Sequence, residues 1–344
     1  MTRCGKWSQS CRVAQPTPGR GTPLLQRLSA RLRHYPATLI ALPLLVAALD
    51  GCGRGDEPAP ELPLEDRTPK VLLIGIDGVR RDVLAVVPTP NIDRLATLGT
   101  FTARTRTTTP SVSGPGWSSM LTGVWPEKHG VHDNEFGGRR YDEYPGFLTR
   151  LESAHPELST YATGDWMPLF ELEGGSTAVG PDVDRRDAID GYEVGWAEGD
   201  SRNVSLAIQQ LSGGDAAAMF VYLGNPDEVS HETGAIGTEY REAIGLADTH
   251  VGMLVDAMRA RPTYGAESWL VIVSTDHGRT ADGDHGGDSP EEMTTFILVS
   301  GPAAAVGPVT GDTYIVDVAV TALTHMGISI DPAWELDGRP VGLR

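Results

Sequence analysis

The sequence predicts an α/β fold built on a central, mostly parallel sheet with helices on both faces. Three strand-like runs carry that expectation: residues 70–77 (KVLLIGID), 219–223 (MFVYL) and 269–277 (WLVIVSTDH). Each is a near-continuous apolar run, which is how strands covered on both faces read. Each also leads into chemistry-bearing residues: Asp77 before Gly78, Asp227 and His231 past Gly224, and Asp276 with His277 before Gly278. Ligands of open α/β sheets gather beyond the carboxyl ends of the strands, so the three endings predict one shared site. Asp227 and His231 are four apart, which puts them on one face of a helical turn where both can grip one cation. Together these residues read as a hydrolase with two metal ions.

Composition is compatible with such a domain and narrows its partners. The chain has 344 residues, 40% apolar and 22% charged, the balance of a globular protein long enough for a full core. Residues 1–51 carry seven Lys/Arg and one acid, net +6, so the formal −18 of the whole chain leaves −24 for residues 52–344. A surface that acidic repels DNA and RNA as bulk partners. An anionic substrate must then be drawn in locally, by metal ions.

Residues 1–36 are polar and arginine-bearing, and residues 37–49 form an apolar run. That run is short of the ~20 residues that span a bilayer and suits the core of an export signal. It leads into Leu49, Asp50, Gly51 and Cys52, which resembles a lipoprotein cleavage box, although Asp50 departs from the small uncharged residue usual there. Residues 1–52 are therefore expected to be an export leader, periplasmic or cell-envelope in destination, with Cys52 lipidated and membrane contact only through that anchor. Cys4 and Cys11 precede it, which leaves no pair for a disulfide in the mature chain. Residues 53–69, rich in Pro, Glu and Asp, read as a flexible tether, and residues 70–344 as the catalytic domain.

Within the domain, Asp77 opens a turn into a helix over residues 91–99, with Pro90 at its start and Gly99 at its end. The Thr-rich residues 102–109 and the small-residue stretch 110–117 (PSVSGPGW) read as a segment whose backbone approaches a ligand closely. Residues 118–121 read as the first turn of a helix, which sets Ser113 near a helix N-terminus, a favourable place for an anion. Residues 160–165 read as a short strand and turn, and 203–211 as a helix. Trp166, Tyr192 and Trp196 are candidates for a pocket wall or for the core. Residues 238–259 show helical spacing, with Ile244, Ala247, Val251, Leu254 and Met258 on one face and His250 close to it in a structural role. The loop 280–293 (TADGDHGGDSPEEM) holds His285 among acids and glycines, ahead of an apolar strand over 295–299.

A strand ending IGIDGVR, the helix TPNIDRLATLG and the stretch SGPGWSSMLTGVWPEKHGVHDN follow one another in order. This succession resembles the alkaline phosphatase superfamily, in particular its type I phosphodiesterase and nucleotide pyrophosphatase branch. With the His285 loop and the tail DVAVTALTHMGI, which resembles the superfamily's last helix and strand, the likeness covers roughly residues 70 to 340. It implies an alkaline phosphatase-like fold with Ser113 as nucleophile and Asn134 binding a phosphoryl oxygen. It also implies two Zn²⁺, one held by Asp227, His231 and His285, the other by Asp77, Asp276, His277 and the Ser113 oxygen. Trp117 stands where sulfatases carry an arginine, which counts against conversion of the nucleophile to formylglycine.

The residue chemistry agrees on the metal, because mixed Asp and His ligands suit zinc better than calcium, which favours all-oxygen shells. A serine hydroxyl is protonated at neutral pH, and a dication on its oxygen makes it a nucleophile. The expected activity is hydrolysis of small phosphate esters through a phosphoseryl intermediate. Diesters or pyrophosphates are preferred, since a monoester carries a further negative oxygen and nothing in the sequence assigns Arg139, Arg140, Arg185 or Arg186 to it. The rival readings are a sulfuric ester hydrolase and a non-catalytic zinc-binding envelope lipoprotein.

Overall fold

The computed structural model describes residues 62–344; the expected leader, Cys52 and most of the expected tether lie outside the described residues. Chain order gives eight strands: β1 (Thr68–Ile76), β2 (Gly99–Arg106), β3 (Ser159–Gly164), β4 (Arg185–Ala188), β5 (Ala216–Leu223), β6 (Glu267–Ser274), β7 (Thr294–Ser300) and β8 (Gly307–Pro308). They form one sheet in the order β4-β3-β5-β1-β6-β7-β2-β8, in which β7 alone runs against the others. The expected mostly parallel sheet is thus present. Its first strand begins at Thr68, after a 3₁₀ turn at Leu64–Asp66, so the end expected of the tether is regular structure.

Burial on both faces follows from the alternation within each apolar run. Val71 and Leu73 of β1 point into one cluster with Trp117, Phe147, Phe220 and Ile272, while Leu72 and Ile74 point into the other with Val221, Val251, Leu254 and Val273. Helices cover both clusters, and every hydrophobic position of these strands is removed from water. β5, β1 and β6 are neighbours in the middle of the sheet. Their registers pair Ile76 with Leu223 and Gly75 with Ser274, so the three strands stop nearly level. The residues that follow each strand therefore meet at one rim.

Several elements differ from the sequence expectation. The helix Thr238–Arg259 has the expected bounds and buried face, and its His250 is buried. The helix Trp196–Gly213 starts well before residue 203. The Thr-rich run is mostly strand β2, paired to β7, because β-branched side chains pack on a pleated surface better than in an open loop. The tail has its helix, Asp317–His325, but past Gly338 it makes only a single bridge, Ala304 with Leu343. No helix among the described residues is long and apolar enough to cross a membrane.

A buried acid pair braces the rim. Asp200 accepts a 2.8 Å hydrogen bond from the Gly224 N–H just after β5, and Asp165, at the end of β3, lies beside it. Burial pushes the Asp200 carboxyl up to about 7, and burial with the neighbouring Asp200 pushes Asp165 well above the usual carboxylate range. A carboxyl raised on folding contributes stability below about pH 4 that is lost as pH rises through about 7. Asp200→Asn keeps the acceptor for Gly224 without the charge. It is expected to raise unfolding stability at pH 8 by at most roughly 4 kcal/mol and to leave pH 4 little changed, as urea titrations at the two pH values would show.

Candidate active site

The rim of β5, β1 and β6 collects the side chains singled out from the sequence. Asp77 follows β1 directly, with its N–H bonded to Leu223 O of β5 at 2.9 Å. The turn at Gly224 starts the helix Asn225–Thr233, where Pro226 in the first turn and the four-residue spacing put His231 Nε2 3.1 Å from Asp227 Oδ2. Asp276 and His277 follow β6, and His285 comes from the loop beyond. Ser113 is itself the first residue of the helix Ser113–Thr122, which begins five residues earlier than expected because its Gly and Pro content disguises it. Gly116 keeps this approach close: a Cβ there would stand 3.0 Å from Asp276 Cβ and 3.1 Å from Oδ2, so an alanine would need Asp276 to give by a few tenths of an ångström.

These side chains make two groups, Asp77/Asp276/His277 and Asp227/His231/His285, in each of which one ligand atom per residue lies within 4.8 Å of the others. Both His277 and His285 donate from Nδ1 to a backbone carbonyl, Gly278 O and Ser111 O, each at 3.0 Å. That fixes the tautomer and turns each Nε2 lone pair toward the site, the usual arrangement of a metal-ligating histidine. The two rings stack with centroids 4.1 Å apart. His277 Nε2 lies 3.3 Å from Ser113 Oγ, 3.4 Å from Asp276 Oδ2 and 3.5 Å from Asp77 Oδ1.

Electrostatics mark the first group as a place for a cation. Asp77 Oδ1 and Asp276 Oδ2 are buried without a hydrogen-bond partner. Burial and the Asp227 carboxylate push Asp77 up to about 7; burial and the other two carboxylates push Asp276 well up, and burial pushes His277 well down. Buried like charges this close are tolerated only when a cation or protons offset them. The donor set and its unpartnered oxygens fit a divalent ion.

Asn134 accepts from the Gly114 N–H at 2.7 Å, which leaves its amide N–H₂ as a donor beside Ser113 in the same cleft. Trp166, Tyr192 and Trp196 line this cleft too, with Tyr222 and Glu228. Arg139, Arg140, Arg185 and Arg186 lie elsewhere: three are bonded to backbone carbonyls of Ser176, Glu127 and Phe170, and Arg185 is paired with Asp187. Two supports of Asp77 were not legible in the sequence, the Trp117 Nε1–H at 2.9 Å and the Tyr222 hydroxyl at 2.6 Å, both donating to Oδ2. A third residue, Arg279, is buried behind Asp227 and His231. Its place next to the TDHG sequence was the only signal, and it carries no spacing that would single it out.

The sequence model of the family described as type I phosphodiesterase / nucleotide pyrophosphatase matches residues 71–301. The ectonucleotide pyrophosphatase/phosphodiesterase family member 3 of Rattus norvegicus is 26% identical over 279 residues, 75% of this chain and 30% of that protein. Family member 1 of Mus musculus is 30% identical over 236 residues, 64% of this chain and 25% of that protein. The chain thus matches under a third of the length of these curated relatives. Among solved structures, murine ectonucleotide pyrophosphatase / phosphodiesterase 5 shares the fold with a TM-score of 0.61 and 16% identity, covering 76% of this chain and 96% of that one. An inactive variant of it has been solved in complex with AMP. A 2-O GAG sulfatase also shares the fold, with a TM-score of 0.63, 13% identity and coverage of 79% of this chain and 73% of that one. With residues 71–301, well over half of the chain, inside the family match, the chain belongs to the type I phosphodiesterase / nucleotide pyrophosphatase family.

Proposed function

We propose that this protein is a metal-dependent phosphoric ester hydrolase that cleaves phosphodiester or pyrophosphate bonds, with Ser113 as its nucleophile at a two-zinc site. The observation that carries this reading is Ser113 Oγ, at a helix N-terminus, facing His277 Nε2 beside two buried carboxylate oxygens without partners. Asp77, Asp276, His277 and the Ser113 oxygen would hold one zinc ion, and Asp227, His231 and His285 the other. Bound zinc supplies positive charge that lowers the pKa of the serine hydroxyl and stabilises the attacking and leaving oxygens.

The chain's own residues account for the rest. Ser113 Oγ attacks phosphorus as the bond to the leaving oxygen breaks, which gives a phosphoseryl ester and frees the leaving group. Asn134 donates to a non-bridging oxygen as charge grows there. Water then attacks from the side the leaving group vacated, regenerating the serine, and two inversions give net retention. Among the described residues no Lys or Arg lines the cleft, so the extra charge of a monoester has no side-chain cation there, which favours the singly charged phosphodiester. The flat faces of Trp166, Tyr192 and Trp196 suit a planar leaving group or base, and the AMP complex of the murine relative makes a nucleotide the first candidate. An exported location is part of the same proposal, resting on the leader-like residues 1–52 and on relatives named as ectoenzymes.

A panel of bis-p-nitrophenyl phosphate, p-nitrophenyl phosphate and p-nitrophenyl sulfate tests the reading. The diester is expected to exceed the monoester in kcat/KM by at least about tenfold, worth ~1.4 kcal/mol of transition-state stabilisation, with the sulfate not turned over. Fastest turnover of the sulfate would make it a sulfatase. Absence of turnover with all three, at full zinc, would leave a zinc-binding protein.

A further inference from the structure

The two groups of metal-ligating side chains are unequal. In the Asp77/Asp276/His277 group, two buried carboxylate oxygens face the site with no donor. An acceptor buried in that state is costly, and an incoming cation removes the cost. In the Asp227/His231/His285 group a cation is already in place. Arg279, whose side chain is fully buried, donates from Nη1 to Asp227 Oδ1 and from Nη2 to His231 Nε2, the latter at 2.8 Å.

This contact is built into the fold. Gly283 O receives Arg279 Nε at 3.0 Å and Nη2 at 2.7 Å, and Asp227 O receives Nη1 at 3.1 Å, so the planar fork is held on every side. Gly78 makes room for it: at φ +63° a Cβ would stand 2.3 Å from Asp227 Oδ1 and 2.8 Å from Arg279 Nη1.

The atom that Arg279 engages on His231 is the one a metal would need. His231 Nε2 lies 3.1 Å from Asp227 Oδ2 and 3.2 Å from His285 Nε2, so an ion shared by the three residues would bind at Nε2. A guanidinium nitrogen only donates, and His231 Nε2 has at most one lone pair to give, so Arg279 and an incoming ion compete for the same atom. A metal must displace this hydrogen bond and approach a fixed positive charge.

We infer that Arg279 sets the divalent-cation affinity of the Asp227/His231/His285 group, making it the weaker of two unequal metal sites. The inference rests on the two-metal reading above. At limiting zinc the protein then holds one ion, at Asp77/Asp276/His277, and the second site fills only as free zinc rises. Hydrolysis would follow the filling of that second site.

Calorimetric titration of the metal-stripped full chain with zinc, with ions per chain counted by native mass spectrometry, tests this. Two classes of site at least about tenfold apart in affinity are expected, with His231→Ala removing the weaker class and Asp276→Asn the tighter. Arg279→Met, which removes a positive charge beside the incoming ion, is expected to tighten the weaker class by roughly tenfold or more and to leave the tighter one unchanged. Two equal classes, or His231→Ala removing the tighter one, would overturn the inference even if Arg279→Met did not fold. Weaker or unchanged binding in a folded Arg279→Met protein would also overturn it and leave Arg279 as a residue that positions Asp227. No zinc binding at any concentration would instead end the two-metal reading, and the inference with it.

Discussion

Alanine in place of Ser113 is expected to lower turnover of bis-p-nitrophenyl phosphate by at least about 10⁴-fold while zinc at saturation stays near two ions per chain. The size of the effect follows from what else the cleft offers. Ser118 and Ser119 lie further along the same helix, but Ser118 Oγ donates to Gly114 O and Ser119 Oγ is bonded to His129 Nε2 at 3.0 Å, both fully buried. Ser111 Oγ is held by Gly287 O and the Gly286 N–H. None of these three serines is free to take over the attack. The metal content is expected to persist because the carboxylates and imidazoles come from other segments, and a small substitution at the first position of a helix leaves those segments in place. A stopped assay beside metal analysis checks both halves, and a variant within tenfold of the parent would remove Ser113 from the chemistry.

Histidine 277 carries the second large effect. His277→Ala is expected to cost one zinc ion per chain and to lower activity by more than about 100-fold, beyond what the loss of an outer partner of a metal ligand does. Removal of the ion at Asp77/Asp276/His277 alone is expected to lower unfolding stability by ~4 kcal/mol relative to protein held at a thousand times that site's dissociation constant. The loss should depend on pH with a defined sign. In the metal-free protein Asp77 is pushed up to about 7 and Asp276 well above its ordinary value, chiefly by burial. Groups raised on folding contribute stability below about pH 4 that disappears as pH rises through about 7. Bound zinc keeps both carboxylates ionised and abolishes that decline. Urea unfolding from pH 4.5 to 8, with and without zinc, isolates the effect, since Asp200 titrates in both forms and cancels. A metal-free protein whose stability held level over that interval would contradict the burial of two uncompensated acids.

How much of this was legible in the chain can be read from particular residues. Asp77, Asp276 and His277 stand out because an apolar run buried on both sheet faces has few ways to end, and a charged residue there must have a purpose. Asp227 and His231 stand out through their spacing. Ser113 and Asn134 came only from the resemblance, since a serine in a Gly/Pro-rich stretch is ordinarily a turn residue. The helix start at Ser113 was masked by propensity: Gly114, Pro115 and Gly116 argue locally for a loop, and close packing against Asp276 overrides them. Strand β2 has the β-branched threonines a strand favours, but the Gly/Pro-rich stretch that follows drew them into the same loop reading. The contacts of Trp117, Tyr222 and Arg279 could not be read in one dimension, because their partners are 40, 145, 52 and 48 residues away.

The proposed metal ligands follow β5, β1 and β6, at the centre of the sheet, whereas Tyr192 and Trp196 belong to the segment after β4, the outermost strand. Substitution and insertion are cheap at a periphery that few strands depend on and ruinous at a centre that every strand depends on. Descendants of this chain could therefore exchange one leaving group for another by redrafting a border segment, with the reactive heart inherited intact.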